Sequence, residues 1–165
     1  MTQKPHRNRV PRSEALTQLA LEPATIKDVD TLVAFEQKVA DPKIYGSTLD
    51  APGVVQEITS NQFYLIKMGG VVVGTVAYRS RPDESVYISN VAIDPMFRRR
   101  GIARAALSFL LAKLKGTRRI DLVTHPENKN ALHLYASFGF KVESRQENYF
   151  GDGEPRLVLA LTRPG

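Results

Sequence analysis

Three consecutive arginines, Arg98, Arg99 and Arg100, run directly into Gly101-Ile102-Ala103-Arg104. They follow Val91-Ala92-Ile93-Asp94-Pro95, an apolar β-rich run closed by a turn signal. A strand that turns at once into a helix aims several free backbone N–H groups at one spot, where the positive end of the helix dipole adds to them. Phosphate binds in such a place. Gly101 and Ala103 leave the backbone open to close approach, and the arginines supply charge-assisted donors around the rim. The pattern reads as a pyrophosphate cradle. It is neither Gly-x-x-x-x-Gly-Lys-Ser/Thr nor Gly-x-Gly-x-x-Gly, since neither string occurs in the chain. An arginine run alone would equally suit a solvated or nucleic-acid-facing surface; its place between strand and helix favours phosphate.

A second segment, Asn128-Lys129-Asn130-Ala131-Leu132-His133-Leu134-Tyr135-Ala136-Ser137-Phe138-Gly139-Phe140, carries an apolar stripe at helical spacing that ends at a glycine. Read alone, Tyr135 would be a core tyrosine of that stripe. The two segments together resemble motifs A and B of the GNAT superfamily of acetyl-CoA-dependent N-acetyltransferases. The first matches Gln/Arg-x-x-Gly-x-Gly/Ala after a strand, and the second matches Asn-x-x-Ala-x-x-Leu-Tyr-x-x-x-Gly-Phe at every fixed position. The tail Glu147-Asn148-Tyr149-Phe150-Gly151-Asp152-Gly153-Glu154-Pro155 resembles the Asn-Tyr-Tyr segment of the N-terminal α-amino acetyltransferases, above all the branch acting on an alanine of ribosomal proteins, with Phe150 where the second tyrosine would stand.

The resemblance implies acetyl-CoA as co-substrate and a primary amine, such as a protein N-terminus, as acceptor. It places Val91, Ala92 and Ile93 along the pantetheine arm, and Arg98, Arg99, Arg100, Gly101, Ile102, Ala103 and Arg104 around the pyrophosphate. Asn128 and Asn130 come beside the remainder of the CoA, Tyr45 and Tyr149 beside the acceptor, and Tyr135 near the thioester sulfur. Chemistry supports the last role: a departing thiolate is stabilised by an O–H donor, and a phenol can give up that proton. A strand N–H near Val91 would polarise the acetyl carbonyl. With no cysteine in the chain, direct attack of the amine is the simplest mechanism. The base is not evident. The positions that carry it in relatives are Val123 and Tyr87, which leaves Glu36, Glu84 and His125 as candidates. A domain with no base could instead be an acyl-CoA-binding sensor. No metal is implied.

Several elements must position these groups. The apolar pattern predicts a strand over Leu19 to Ala24 and a helix capped by Thr25 that ends at Asp41-Pro42. Next come a loop or broken helix over Pro42 to Gly53 and a short helix from about Val54 to Ser60. Two strands, Phe63 to Lys67 and Val71 to Arg79, are joined across Gly69-Gly70, a hairpin signal. A central strand over Ser85 to Ile93 feeds the arginine turn. The first motif's helix is closed by Gly116, and Ile120 to Thr124 returns as a strand. Beyond the second motif's helix, Phe140 to Tyr149 and Leu157 to Leu161 form a hairpin. The expected class is α/β, a mixed and mostly antiparallel sheet of six to seven strands, splayed at its centre and flanked by about four helices. Residues 1–18 read as a basic flexible arm and 19–165 as the acetyltransferase domain.

The 165 residues hold 42% hydrophobic and 24% charged residues, the composition of one globular domain. Zero cysteines exclude disulfides and thiolate metal sites and suit a reducing compartment. No apolar run approaches the length of a membrane span, so a soluble cytoplasmic protein without membrane contact is expected, with a homodimer left open. Lysine and arginine exceed aspartate and glutamate, 23 against 17, for a net charge of +6. Eight basic and no acidic residues lie between Asp94 and Asp121, and Lys4, Arg7, Arg9 and Arg12 occupy the first twelve positions. A nucleic-acid-binding module built on these clusters is the alternative from another class.

Overall fold

The computed structural model describes residues 18–45 and 48–164; the basic arm read over residues 1–18 lies, but for its last residue, outside them. Seven strands form one open sheet in the order β1-β2-β3-β4-β5-β7-β6. They are β1 (Leu19–Pro23), β2 (Gln62–Met68), β3 (Val71–Ser80), β4 (Val86–Ile93), β5 (Arg119–Thr124), β6 (Lys141–Gln146) and β7 (Arg156–Thr162). All neighbours are antiparallel except β4 and β5. Among the described residues five α-helices accompany them, one more than expected: α1 (Val29–Val39), α2 (Pro42–Tyr45), α3 (Ala51–Ser60), α4 (Ile102–Lys113) and α5 (Lys129–Ser137).

Local chemistry accounts for the boundaries. Thr25 caps a single 3-10 turn over Ile26–Asp28 through a reciprocal box with Asp28, and that turn runs into α1. The segment from Pro42 to Gly53 is a broken helix: α2 is one turn, and α3 starts three residues earlier than the apolar pattern predicts. Asp50 accepts from the Gly53 N–H at 2.9 Å and a proline stands in the first turn, which a helix start tolerates and a helix interior does not. Gly69 and Gly70 both have positive φ, 58° and 79°, as a tight hairpin requires. Gly116 does not cap α4; the helix ends at Lys113, with the Leu114 N–H bonded to the Leu110 carbonyl.

Strand periodicity divides the core between the two faces. Phe63 and Leu65 of β2 pack with Leu32 of α1 and Val54 of α3, whereas Ile66 joins Leu107 and Leu110 of α4. The sheet is therefore sandwiched, and β4 runs through its middle. β4 pairs with β5 over only three residues, Val86–Ile88 against Ile120–Leu122. That end is clamped by Arg81, which donates twice to Asp121 at 2.8 and 2.9 Å, and by Arg119, which bridges Asp121 and Glu143. On its other side β4 pairs with β3 from end to end, with Ser89 as the extra residue of a bulge. Beyond the bulge the chains of β4 and β5 part, and the site opens there.

Gly74 of β3 lets β3 approach this strand. A Cβ there would stand 2.8 Å from the Ala92 carbonyl oxygen and 2.8 Å from Ile93 Cδ1. Gly74→Ala is expected to cost about 1 to 3 kcal/mol, as overpacked cores do. At roughly 2 to 4 °C per kcal/mol for a domain of this size, calorimetry would read a clear fall in Tm.

Candidate active site

A cleft of about 1050 Å³ occupies the split between β4 and β5. Its floor is Tyr87 to Ile93, and from Ser89 onward this stretch has no strand neighbour on the β5 side, so backbone groups there stand free to pair with an extended ligand. One end of the cleft is the start of α4. Gly101 caps that helix in the left-handed region, φ 81°, and Ala105 is the first residue to close a helical bond, to the Gly101 carbonyl at 3.0 Å. The N–H groups of Ile102, Ala103 and Arg104 thus have no acceptor within the helix. Arg99 also has positive φ, 62°, which turns the chain tightly ahead of them. Arg98, Arg99 and Arg104 line this end, and Arg98 is braced by donating Nε to the Ile93 carbonyl at 3.1 Å.

The middle of the cleft holds Tyr135 of α5, 7% exposed and packed against Phe140. Burial, then the nearby phenols of Tyr45 and Tyr87, raise its pKa above the ordinary tyrosine value of 10.0. The phenol is therefore neutral through the physiological range and can donate. Asn128 caps α5 by accepting from the Ala131 N–H at 3.4 Å, so α5 also starts at the cleft wall.

The far end carries the opposite charge. Glu36 of α1, Asp41 and Glu57 of α3 line it with Tyr45, joined by Phe150 and Asp152 of the β6–β7 connection and by Arg156, the first residue of β7. Glu36 is half-buried; burial raises its carboxyl pKa, a hydrogen bond from the Leu49 backbone lowers it, and Glu57's charge raises it again. Arg156 is 1% exposed, donates to Asp152 at 2.9 Å and lies under the Phe150 ring. Anion donors at one end, a buried phenol in the middle and a half-buried carboxylate at the other suit a ligand that is phosphorylated at one end and meets an amine at the other.

The family model for the acetyltransferase (GNAT) family matches residues 32–140. The chain belongs to that family. A stretch of 77 residues is 35% identical to the [ribosomal protein bS18]-alanine N-acetyltransferase of Escherichia coli K12, covering 44% of this chain and 52% of that relative, so the match spans about half of its length. Two solved structures share the fold. The ribosomal-protein-S18-alanine N-acetyltransferase of Escherichia coli superposes with TM-score 0.74 at 20% identity, over 89% of this chain and 96% of that one. Arabidopsis thaliana Naa50, in complex with the bisubstrate analogue CoA-Ac-MVNAL, gives 0.75 at 20% identity, over 88% and 99%.

Most of the residues expected at a GNAT site converge on this cleft. Val91, Ala92, Ile93, Arg98, Arg99, Gly101, Ile102, Ala103, Arg104, Asn128, Asn130, Tyr135, Tyr45 and Glu36 all line it. Four do not. Arg100 turns back to donate to the Met96 carbonyl at 3.2 Å and lies over the Phe97 ring. Glu84 is exposed in the β3–β4 turn, at the clamped end of the sheet. His125 is 2% exposed with both ring nitrogens engaged: Nδ1 accepts from the Glu127 N–H at 3.0 Å, which leaves Nε2 to donate to Glu154 at 2.8 Å. Tyr149 stacks edge-on against Phe150, and Phe150 takes the cleft wall. Val123 and Tyr87, the two positions at which the resemblance implies a base, both line the cleft and carry none.

Sequence reasoning missed Glu57, Asp152 and Arg156. Arg156 had a local signal, a charge opening the apolar run Leu157 to Leu161. Glu57 had none, because the packing of α3 on α1 is what brings it to the cleft.

Proposed function

We propose that this chain transfers the acetyl group of acetyl-CoA to a primary amine, and that the amine is a protein N-terminal α-amine. The observation that carries the reading is the unpaired length of β4 running straight into the arginine-rimmed start of α4, with a buried phenol beside it. The strand edge would pair with the pantetheine amides, and the N–H groups of Ile102 to Arg104, with Arg98, Arg99 and Arg104, would hold the pyrophosphate. In the reaction the amine nitrogen forms its bond to the thioester carbon as the C–S bond breaks. A strand N–H near Val91 stabilises the oxyanion. Glu36 takes the proton that the arriving ammonium must lose before attack, directly or through water; Tyr135 then donates its O–H to the departing thiolate and recovers a proton from the nitrogen as the amide forms.

The likeness to a relative named as a ribosomal-protein alanine N-acetyltransferase supports the acceptor class, as does a neighbour of the same fold in complex with the bisubstrate analogue CoA-Ac-MVNAL. The aromatic and acidic far end, with Tyr45, Phe150 and Glu36, suits a peptide whose first amine arrives protonated. The cleft takes up three of the clustered arginines, which weakens the nucleic-acid reading, and a half-buried carboxylate at the cleft, Glu36, favours an enzyme over a sensor.

Acetyl-CoA should stabilise the protein by about 2.7 kcal/mol at a hundredfold excess over Kd. A Tm that stays flat up to millimolar acetyl-CoA overturns the reading. Release of CoA should then be faster with an alanine-initiated peptide than with the same peptide blocked at its N-terminus, with free amino acids or with polyamines.

A further inference from the structure

Glu36 does not face the cleft alone. Glu57 lines the same wall from α3, and its position is set by one neighbour: Asn61, 8% exposed just past the end of α3, turns its amide nitrogen to the Glu57 carboxylate at 2.8 Å and to the Glu57 carbonyl at 3.0 Å. The amide oxygen of Asn61 is buried and has no hydrogen-bond partner. The Asn61 amide nitrogen thus ties the Glu57 carboxylate to the end of its own helix. The Leu49 N–H holds Glu36 from the segment that leads into α3. Both carboxylates are thus anchored by groups at the two ends of one helix, while α1 and α3 pack through Leu32 and Val54.

The geometry points to Glu57 as a positioning residue for this reaction: fixed by Asn61, it keeps a second negative charge against Glu36 and so holds Glu36 ready to accept the proton of the acceptor amine. The inference rests on Glu36 serving as the base. A carboxylate beside water and a cation is a weak base, whereas one that is half-buried and faces a like charge binds a proton more readily. Burial is the first cause of the upward displacement of Glu36, and the charge of Glu57 adds to it against the Leu49 hydrogen bond. The other titratable groups along the cleft at this end are Asp41, Tyr45 and Tyr87, and Asp152 with Arg156, whose charges meet each other. The two carboxylates would also draw the acceptor in as an ammonium and then take its proton, which would otherwise block attack.

The sign follows directly. Glu57→Gln keeps an oxygen for the Asn61 amide and removes only the charge, so Glu36 ionises at lower pH. In wild-type protein with carboxyl-labelled glutamate, the NMR titration midpoint of Glu36 should move down in Glu57→Gln and stay near its wild-type position in Glu57→Asp, with Tm little changed in either. With the alanine-initiated peptide and saturating acetyl-CoA, the acid limb of kcat/KM should move down in step, while Glu36→Gln loses about 10² to 10⁴ in kcat. A Glu36 midpoint that is the same in wild type and Glu57→Gln overturns the inference whether or not any amine turns over. Unchanged kcat in Glu36→Gln instead overturns the base assignment on which it rests, and no turnover of any amine by the wild type overturns the proposed function.

Discussion

Tyr135→Phe should lower kcat by about 10² to 10⁴ and leave the affinity for acetyl-CoA within twofold of wild type, the signature of a lost general acid. The substitution keeps the ring against Phe140 and deletes one oxygen from a side chain that is 7% exposed, so packing is preserved. Loss of kcat and kcat/KM together would mark an interaction made in the transition state. A rise in KM alone would return Tyr135 to a packing role, and an unchanged kcat at saturating acetyl-CoA would remove the acid from the mechanism. Burial adds a pH signature. Because the phenol is raised above its ordinary value of 10.0 by loss of water, with the phenols of Tyr45 and Tyr87 adding to the shift, it stays protonated through the assay range. The wild-type kcat profile should therefore show no alkaline limb from this group below pH 10.0, and an alkaline limb that vanishes in Tyr135→Phe would contradict it.

Gly101→Val is expected to abolish acetyl-CoA binding, so that the ligand-induced rise in Tm disappears. Gly101 stands at the cap of α4 with φ 81°, and a branched side chain there would cover the N–H groups proposed to hold the pyrophosphate. The substitution also strains the backbone, since a left-handed residue with a Cβ costs about 1 to 2 kcal/mol. Apo stability should fall by a few degrees for that reason alone, which makes a control necessary. Gly70 has nearly the same φ, 79°, in the β2–β3 turn, with no atom close to where its Cβ would be. Gly70→Val should lose similar apo stability and keep the full acetyl-CoA shift. Isothermal titration of both variants decides the matter: binding by Gly101→Val equal to that of Gly70→Val would place the cradle elsewhere.

The same helix start illustrates what a linear reading can supply. The Arg-x-x-Gly-x-Ala pattern needs only neighbours in sequence to form, because a strand, a turn and the first turn of a helix are local structures; so the cradle could be placed before any contact was known. The stripe of α5 and its glycine terminator were legible for the same reason, with Gly139 at φ 94° just past the helix. The glycine hairpin between β2 and β3 and the capping of the first helix by Thr25 are likewise set within a few residues. Where competing local signals met, the reading slipped. Pro52 and Gly53 suggested loop, yet Asp50 as cap makes that same Pro-Gly pair the opening turn of α3.

What tertiary structure alone decided is which side chains share the cleft with those local features. His125 and Glu84 are as titratable as Glu36 in the sequence, but the fold engages both nitrogens of the first and leaves the second in a turn at the clamped end of the sheet. Glu57, Asp152 and Arg156 come in through helix packing and through the β6–β7 connection, contacts between segments up to about a hundred residues apart that no periodicity encodes. The length of the free β4 edge was also outside the reach of sequence, since it depends on how few residues of β5 pair with it before the Ser89 bulge and the Arg81–Asp121 clamp set the angle of the split. Sequence by itself determined the family, the strand-to-helix cradle and Tyr135, because backbone geometry within a turn or two depends on adjacent residue types. Which carboxylates share the cleft with Tyr135 was decided by the tertiary structure, because helix packing and not sequence spacing brings Glu36 and Glu57 to its wall.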